Sequence, residues 1–333
     1  MLDFTTNLNS LGFEAGLSEV EKELLFLRSR SAGLTVSGCA HAVFVCELFR
    51  LLRKKLNAEN GCTVPNTHLS VGILGGGHVG KQLAKLLLHS SDLKPCDINI
   101  STKRPETLGE ISNIGVECYF DNIRLAKWAD LLFLCVLPSH LPQVCSDIRC
   151  HLSPDCVVYS FTSAVPLNRL AMLLEHSFII KPQYEFVACD DVTTVWLLHN
   201  QVSAALKHKE VLSASLPLSM NGGLFLDQRW VSAVLYGLLN MCTAVKLGSG
   251  KTLLLLNGLF ETAGSTNTFT YHTFVNSPSA SDPIKPDDLF PWINLVDAQT
   301  KDTPLTDVVL RNKGLRDCIS VMYYSAFSNL AEG

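Results

Sequence analysis

The chain is poor in charge and lacks the features that identify several common classes of protein. Charged side chains make up 17% of its 333 residues, and the formal net charge is −4. This balance gives no reason to expect a nucleic acid or an anionic membrane as a partner. No uninterrupted apolar run reaches the ~20 residues that span a bilayer. Residues 1–10 are polar and lack the basic start and apolar core of a secretory leader.

Metal-binding and nucleophile motifs are also absent from the sequence. The ten histidines include no His-Glu-x-x-His pattern and the twelve cysteines include no Cys-x-x-Cys pair, so we expect no metal site. There is no Gly-x-Ser-x-Gly motif either. Scattered cysteines inside apolar segments, such as Cys135, are typical of reduced core residues. We therefore expect a cytoplasmic, or at least intracellular, protein.

What the sequence does contain is a glycine-rich turn between a strand-like apolar run and a helical segment. Gly75, Gly77 and Gly80 follow the Gly-x-Gly-x-x-Gly spacing. In a dinucleotide-binding unit the first glycine makes the turn, the second lets the backbone approach the pyrophosphate, and the third lets helix and strand pack closely. The N–H groups of His78 and Val79, at the start of the helix, would bind the phosphates. The alternative is an ordinary turn with no ligand.

The residues after the second strand indicate which dinucleotide is bound. Many NAD enzymes have Asp or Glu at this point to bond the ribose 2′-hydroxyl, whereas this chain has Ser101, Thr102, Lys103 and Arg104. Two hydroxyls and two cations suit a 2′-phosphate and leave no carboxylate to repel it. We therefore predict NADP as the cofactor. The alternative is that Lys103 and Arg104 form a solvated surface turn.

Strands and helices alternate through the segment that contains this turn. Further predicted strands are 97–101, 116–120, 131–136, 156–160 and 178–180, and the predicted helices are 79–88, 121–129, 141–148 and 166–174. This alternation is typical of an α/β fold with a doubly wound parallel sheet of the Rossmann type. A ligand should lie beyond the carboxyl ends of its strands.

We divide the chain into three parts. Residues 1–65 form a helical N-terminal extension, residues 66–190 the NADP-binding Rossmann domain, and residues 191–333 an all-helical substrate and dimerisation domain. The long apolar segments 230–245 and 315–330 have more apolar surface than a small domain buries alone, which predicts a homodimer.

Within the N-terminal extension the sequence predicts two helices. Ser18 and Glu21 form a capping box that opens a helix running to about Arg30. A second helix runs from Ala40 to Leu56. Its end carries Arg50, Arg53, Lys54 and Lys55, which either complement the helix C-terminus or form a docking patch for a partner.

Several segments between about Ser70 and Leu174 resemble the pyrroline-5-carboxylate reductase family. They are Gly72–Gly77 at the family's opening turn, Ser101–Arg104 at its phosphate-binding segment, Asp121-Asn122 at its Asp-Asn pair, Ala129–Pro138 at its strand ending in Val-Lys-Pro, and Ser160–Leu170. The resemblance implies an NADP-dependent oxidoreductase in which Asn122 lies near the adenosine ribose and its phosphate. It also implies that the C-terminal half supplies the subunit interface.

The half of the chain that would hold the substrate departs from that family. Leu137 replaces the Lys of Val-Lys-Pro, and Glu185 occupies an Asn position. The family's Ser-Gly-Pro-Ala and Ser-Pro-Gly-Gly-x-Thr segments, which build its imino-acid pocket, are missing, and Asp227 and Asp302 stand nearest to them. Both aspartates would repel a substrate carboxylate. We therefore expect a neutral or cationic substrate and very weak or no proline-forming activity.

Hydride transfer requires the protein to place the nicotinamide, exclude water and handle one proton. We expect Val136 and Pro138, at the end of the fourth strand, to border the nicotinamide. Thr162 and Ser163, after the fifth strand, would bond the carboxamide or a substrate. Three side chains after the sixth strand are candidates for the proton: Lys181, Tyr184 and Glu185. Their ordinary alternatives are a capping cation, a core residue and a surface charge, respectively.

Two functions remain open from the sequence. The first is an NADP(H)-dependent oxidoreductase that reduces a small imine or carbonyl. The second is a non-catalytic NADP(H)-binding protein that has lost the substrate pocket. We favour the enzyme because substrate loops diverge easily on a retained cofactor scaffold.

Overall fold

A computed structural model describes residues 16–60, 68–187, 195–196, 201–261, 269–275 and 285–331. The polar start of the chain lies outside the described residues. The first elements are α1 (Glu19–Glu23) and α2 (Leu25–Asn60). The predicted capping box of α1 is confirmed, because the Ser18 N–H donates to Glu21 Oε2 at 2.8 Å and the Glu21 N–H donates to Ser18 Oγ at 3.3 Å.

Helix α2 is continuous over 36 residues, so the prediction of two helices with a break between residues 30 and 40 is wrong. Gly33 and Gly38 lie in the predicted break. A β carbon on Gly33 would lie 3.1 Å from the Trp196 ring, and one on Gly38 would lie 3.3 Å from the Phe161 ring. The glycines let α2 pack closely on these rings, and this tertiary packing outweighs their low helix propensity.

The apolar character of α2 serves the protein core. Residues 36–46 are all buried, as expected of a helix that is apolar all round. By length and composition alone, Glu19–Ala58 could cross a membrane, but 78% of its most apolar window is buried inside the protein. Scattered polar residues interrupt this stretch, which is why the sequence contains no long uninterrupted apolar run.

The basic residues at the end of α2 mostly bind groups of the same chain. Arg50 lies 2.9 Å from an Asp92 oxygen, and Arg53 lies 2.6 Å from an Asp130 oxygen. Lys55 donates to a backbone carbonyl at 3.1 Å. These contacts favour an internal role over the docking patch that the sequence left open.

Six parallel strands form the central sheet and confirm the predicted fold class. They are β1 (Val71–Leu74), β2 (Ile98–Ser101), β3 (Glu117–Tyr119), β4 (Leu131–Leu134), β5 (Val157–Ser160) and β6 (Ile179–Ile180). Their order is β3-β2-β1-β4-β5-β6. The order reverses direction between β1 and β4, which is the switch point where doubly wound sheets bind dinucleotides.

Helices cover both faces of this sheet. They are α3 (His78–Ser90), α4 (Gly109–Ser112), α5 (Asn122–Trp128), α6 (Leu141–Ile148) and α7 (Leu167–Leu174). Alternate strand residues belong to two separate cores: Phe133 and Tyr159 pack with α2 and α3, whereas Leu132 and Val158 pack with α5, α6 and α7. Burial on both faces explains why the strands are apolar runs rather than alternating ones.

The remainder of the described chain is helical except for one small sheet. β7 (Tyr184–Phe186) pairs antiparallel with β8 (Leu224–Leu226). The C-terminal part therefore contains a strand, whereas the sequence predicts that it is entirely helical. Its helices are α8 (Val202–Ala205), α9 (Lys209–Ala214), α10 (Gln228–Ala244), α11 (Ser249–Leu259), α12 (Tyr271–Phe274), α13 (Leu295–Thr300), α14 (Pro304–Arg311), α15 (Lys313–Ala326) and α16 (Ser328–Ala331).

The two long apolar segments of this part behave differently from the prediction. The first is α10, whose apolar face is buried by α2, α13 and α14 of the same chain. The second is divided at Phe327 into α15 and α16. The exposed apolar side chains of this part include Val321 and Tyr324 on α15, within the second predicted segment, and Leu254 on α11, outside both segments. The buried surface of α10 therefore gives no support to a homodimer, which stays a prediction.

Candidate functional site

The glycine turn has the geometry that each of its three positions requires. Gly75 has a φ of +111°, and a β carbon there would lie 2.6 Å from the Cys135 carbonyl oxygen. A β carbon on Gly80 would lie only 2.0 Å from the Gly75 carbonyl oxygen, whereas one on Gly77 would meet nothing within 4 Å. Gly75 and Gly80 therefore close the turn against its neighbours, and the open space at Gly77 leaves room for a ligand to approach the backbone.

A crevice of about 300 Å³ lies at the carboxyl ends of β1, β2 and β4. Its lining residues are Leu74, Gly75, Gly76, Gly77, Ser101, Thr102, Lys103, Arg104, Thr107, Phe120, Asn122, Cys135, Val136, Leu137, His140 and Val144. The crevice thus joins the glycine turn to the segment after β2. Of the residues predicted to bind the cofactor, it brings together Gly75, Gly77, Ser101–Arg104, Asn122 and Val136.

The start of α3 faces this crevice with free backbone donors. Gly77 is the N-cap and makes no side-chain cap bond, so the first N–H groups of α3, including those of His78 and Val79, have no intrahelical acceptor. The His78 side chain is exposed and lines a neighbouring pocket of about 320 Å³ formed with α2. The backbone of this turn, rather than its side chains, is suited to hold phosphate.

The segment after β2 presents two cations to the crevice. Lys103 and Arg104 are exposed, and no carboxylate of the described residues lies within 4 Å of either charged group. Thr102 is half-buried beside them, with its N–H donated to the Tyr119 carbonyl at 2.8 Å. Unpaired cations beside a glycine turn suit a 2′-phosphate group.

Ser101 and Asn122 have a structural part in this arrangement. Ser101 is fully buried, its hydroxyl donates to Asn122 Oδ1 at 2.8 Å, and it accepts the Asp121 N–H at 3.2 Å. The Asn122 amide donates to Asp147 Oδ2 at 3.1 Å. Because the Ser101 hydroxyl already has a donor and an acceptor, it has no hydrogen left to donate to a phosphate, whereas Lys103 and Arg104 beside it have no carboxylate partner among the described residues.

Apolar side chains at the mouth of the crevice were not among the predicted site residues. Phe120 and Leu137 are 60% and 64% exposed, although both are large and apolar. They follow β3 and β4, and His140 lies on the same rim. Phe120 and Leu137 could have been predicted as site residues from their positions after the carboxyl ends of strands, because ligands of doubly wound sheets bind there.

The other residues predicted to border the nicotinamide lie after β4 and β5. Pro138 is exposed and opens a short turn over residues 138–140. His140 of this turn lines the crevice, whereas Pro138 itself does not. Thr162 is buried, and its hydroxyl lies 2.6 Å from Ser160 Oγ. The next residue, Ser163, is exposed. The Thr162 hydroxyl therefore already has a partner, and Ser163 is the more accessible of the two.

Lys181 is the candidate proton donor with the most unusual surroundings. The residue is 5% exposed, and its Nζ has one acceptor, the Ser163 carbonyl oxygen at 3.3 Å. No carboxylate of the described residues lies within 4 Å of this ammonium group. Burial lowers the pKa of Lys181, because an ammonium group loses hydration there without gaining a counter-ion.

Tyr184 is held by a residue of the N-terminal helix. Its hydroxyl lies 2.8 Å from His41 Nδ1, and His41 Nε2 lies 2.8 Å from the Ser215 carbonyl oxygen. A carbonyl only accepts, so Nε2 carries the proton and Nδ1 accepts the hydrogen of Tyr184. Burial also raises the pKa of Tyr184 well above its ordinary value. This hydroxyl is therefore poorly placed to donate a proton to a substrate.

Glu185 and the two aspartates singled out by the sequence lie in different surroundings. Glu185 is exposed on β7, in keeping with its alternative as a surface charge. Arg229 lies 2.9 Å from an Asp302 oxygen and 3.9 Å from an Asp227 oxygen. Arg229 thus partly neutralises both aspartates, and this weakens the repulsion of a substrate carboxylate that the sequence predicts for them.

The geometry as a whole fits a nicotinamide dinucleotide. The cradle at Gly77 is open, α3 points free N–H groups at it, and unpaired cations flank it. Among the described residues, no group of three or more His, Cys, Asp or Glu side chains is placed to hold a metal ion.

Comparisons with known proteins point the same way. The family model for NADP oxidoreductase, coenzyme F420-dependent, matches residues 70–163. The mouse protein called NADP-dependent oxidoreductase domain-containing protein 1 is 36% identical over 352 residues, which cover 98% of this chain and 94% of the mouse protein. Pyrroline-5-carboxylate reductase of Escherichia coli (strain K12) is 29% identical over 107 residues, covering 32% of this chain and 40% of the reductase.

A solved structure of a pyrroline-5-carboxylate reductase from Coxiella burnetii is also similar, with a TM-score of 0.32 and 20% sequence identity. The similar region covers 36% of this chain and 44% of the reductase chain. The chain therefore spans less than half the length of the reductases it matches. The sequence matches to the mouse protein and to the Escherichia coli reductase confirm the resemblance inferred from the sequence.

Proposed function

The chain belongs to the pyrroline-5-carboxylate reductase-like family that includes NADP-dependent oxidoreductase domain-containing protein 1, and we propose that it is an NADP(H)-dependent oxidoreductase. The proposed reaction is hydride transfer to a small imine or carbonyl. The observation that carries the proposal is the crevice at the β1/β4 switch point, where the glycine turn and two unpaired cations line one cavity. When bound, the nicotinamide supplies the hydride.

The preference for NADP over NAD rests on charge. A 2′-phosphate brings about two negative charges. Lys103 and Arg104 lie exposed on the crevice, and no carboxylate of the described residues is within 4 Å of their charged groups. An Asp or Glu at this position would repel the phosphate and bond a free 2′-hydroxyl instead. The crevice therefore favours the phosphorylated nucleotide.

Binding and turnover should be tested separately. Calorimetric titration with NADPH, NADH and 2′,5′-ADP measures cofactor binding and the share contributed by the 2′-phosphate. Anaerobic NADPH oxidation with a panel of cyclic imines, imino acids, ketones and aldehydes then measures catalysis. Failure to bind NADPH would contradict the proposal.

A second candidate function is NADP(H) binding without catalysis. The ion pairs of Arg229 with Asp227 and Asp302 favour it. In the sequence these aspartates occupy the places nearest to the family's two pocket-forming segments, so ion pairs stand where the family builds its imino-acid pocket. Tight NADPH binding with no oxidation above the background rate for any compound of the panel would select this alternative.

A further inference from the structure

The inference drawn from Lys181 rests on the proposed function and concerns the class of substrate. Lys181 directly follows β6, next to the loop after β5 that carries Thr162 and Ser163. Its backbone N–H is fixed by Gln299 Oε1 at 2.9 Å. Its ammonium group has three hydrogens to donate but one acceptor, and that acceptor belongs to an exposed residue. Lys181 stands at the carboxyl edge of the sheet, the edge at which ligands of doubly wound sheets bind, although it is not part of the crevice lining described above.

The charged groups on the neighbouring elements leave Lys181 without a counter-ion. Asp297, on α13, pairs at 2.9 Å with Lys301, which directly follows that helix. Arg229, at the start of α10, holds Asp227 and Asp302. The positive charge of Lys181 is therefore not cancelled by the described elements that pack against β6.

The other candidate donors do not compete with Lys181. The Tyr184 hydrogen is directed to His41, and Glu185 is exposed on β7. A lysine whose ammonium group is weakly solvated donates a proton more readily than one in water.

A buried ammonium group discriminates between a carbonyl and an imine. A neutral ketone or aldehyde develops negative charge on oxygen as it accepts a hydride, and a nearby cation stabilises that charge and supplies the proton. An imine accepts a hydride best as its iminium ion, which already carries the proton and a positive charge. Placing this ion beside the ammonium group of Lys181 is unfavourable.

We propose that Lys181 is the proton donor in the reduction of a neutral ketone or aldehyde, and that this chain reduces carbonyls in preference to imines. A bound nicotinamide would supply a hydride, a proton with two electrons, for the carbonyl carbon, and Lys181 gives a proton to the oxygen. The carbon–oxygen π bond is replaced by C–H and O–H bonds, yielding an alcohol and the oxidised cofactor. The neutral amine of Lys181 then regains its proton from water.

The test compares two probes of equal ring size, cyclopentanone and 1-pyrroline, with NADPH and the full chain. We expect wild-type kcat/KM to be at least tenfold higher for the ketone. Lys181→Gln and Lys181→Arg should each lower kcat for the ketone at least a hundredfold, since arginine keeps the charge but does not release its proton near neutral pH. Lys127→Gln, at an exposed position on α5, is the matched control and should change neither.

Two further measurements separate a chemical role from a structural one. The affinity for NADPH should stay within about threefold in all variants if their folds are intact. In the wild type, kcat/KM for cyclopentanone should be constant at low pH and fall above the pKa of Lys181. The same pKa, measured by ¹³C NMR of reductively methylated lysines in the cofactor-free chain, should lie below the ordinary value of 10.5.

Several results would overturn the inference while leaving the proposed function standing. They are faster reduction of 1-pyrroline than of cyclopentanone, wild-type ketone turnover in Lys181→Arg, or a Lys181 pKa at or above its ordinary value. A chain that binds NADPH but reduces neither probe would overturn both the donor assignment and the proposed catalysis. Absence of NADPH binding would remove the proposed function itself.

Discussion

Replacement of Gly77 and Gly80 by alanine should separate the ligand-binding role of the turn from its packing role. The β carbon of Gly80→Ala would start 2.0 Å from the Gly75 carbonyl oxygen, and β carbons essentially never come within 3.0 Å of another atom. Helix α3 must therefore move about 1 Å away from β1. Overpacking of this kind costs about 1–3 kcal/mol of unfolding free energy.

The two substitutions should differ in stability and agree in binding. In Gly77→Ala the new methyl group meets no protein atom within 4 Å, so the free energy of unfolding should stay within about 0.5 kcal/mol of wild type. It would nevertheless occupy the space through which a pyrophosphate approaches the backbone. Loss of one hydrogen bond to a charged group costs about 1.5–3 kcal/mol, so both variants should bind NADPH at least tenfold more weakly.

Urea unfolding and calorimetric titration with NADPH check these expectations. Gly109→Ala is the matched control, because its β carbon also meets nothing within 4 Å and it lies outside the crevice lining. It should leave both quantities unchanged. Wild-type NADPH affinity in Gly77→Ala would refute the assignment of this turn as the pyrophosphate site, and wild-type stability in Gly80→Ala would refute the packing argument.

Four further expectations follow from the same structure. Arg104→Ala should weaken NADPH binding more than tenfold and leave NADH nearly unchanged by calorimetry, whereas equal losses would contradict the 2′-phosphate assignment. Burial lowers the pKa of His41 from 6.5 to about 4, so the free energy of unfolding should be constant above pH 6.5 and fall by up to about 3 kcal/mol as the pH drops toward 4. His41→Gln should flatten that urea-unfolding profile. Sedimentation equilibrium should find a homodimer at micromolar concentration, in which Leu254, Val321 and Tyr324 are candidate contacts because they are exposed and apolar; a monomer would contradict this. Reduction of pyrroline-5-carboxylate should be very weak or absent, and a turnover above about one per second would overturn the argument from the missing segments.

The sheet was predictable because its signals are local in the sequence. Apolar strands separated by helical segments define the doubly wound fold, and strands β2 to β6 of the parallel sheet fall within the predicted ranges. Asp121 was also recognisable as a helix cap, and its carboxylate accepts the Arg124 N–H at 2.8 Å. These features depend on residues only a few positions apart.

The parts that were not predictable depend on partners far away in the sequence. Ser101 follows the phosphate-binding pattern, but its hydroxyl is used by Asn122, 21 residues later. Tyr184 reads as a plausible acid, but its partner His41 is 143 residues earlier. The continuity of α2 through Gly33 depends on the Trp196 ring. Local propensity carries no information on such contacts, and tertiary packing decides them.

Helix α2 changes the meaning of the N-terminal segment. The sequence predicts an extension placed before the cofactor domain. In the structure, α2 packs against α3 of that domain and also against α10, α11 and α15 of the C-terminal part. Its His41 fixes Tyr184 on β7 and reaches the Ser215 carbonyl after α9. The helix therefore connects the half of the chain that resembles the reductases to the half that does not. A substrate site after β5 and β6 would therefore depend on α2, because His41 on this helix holds Tyr184, which follows β6. The Escherichia coli reductase matches only 32% of this chain.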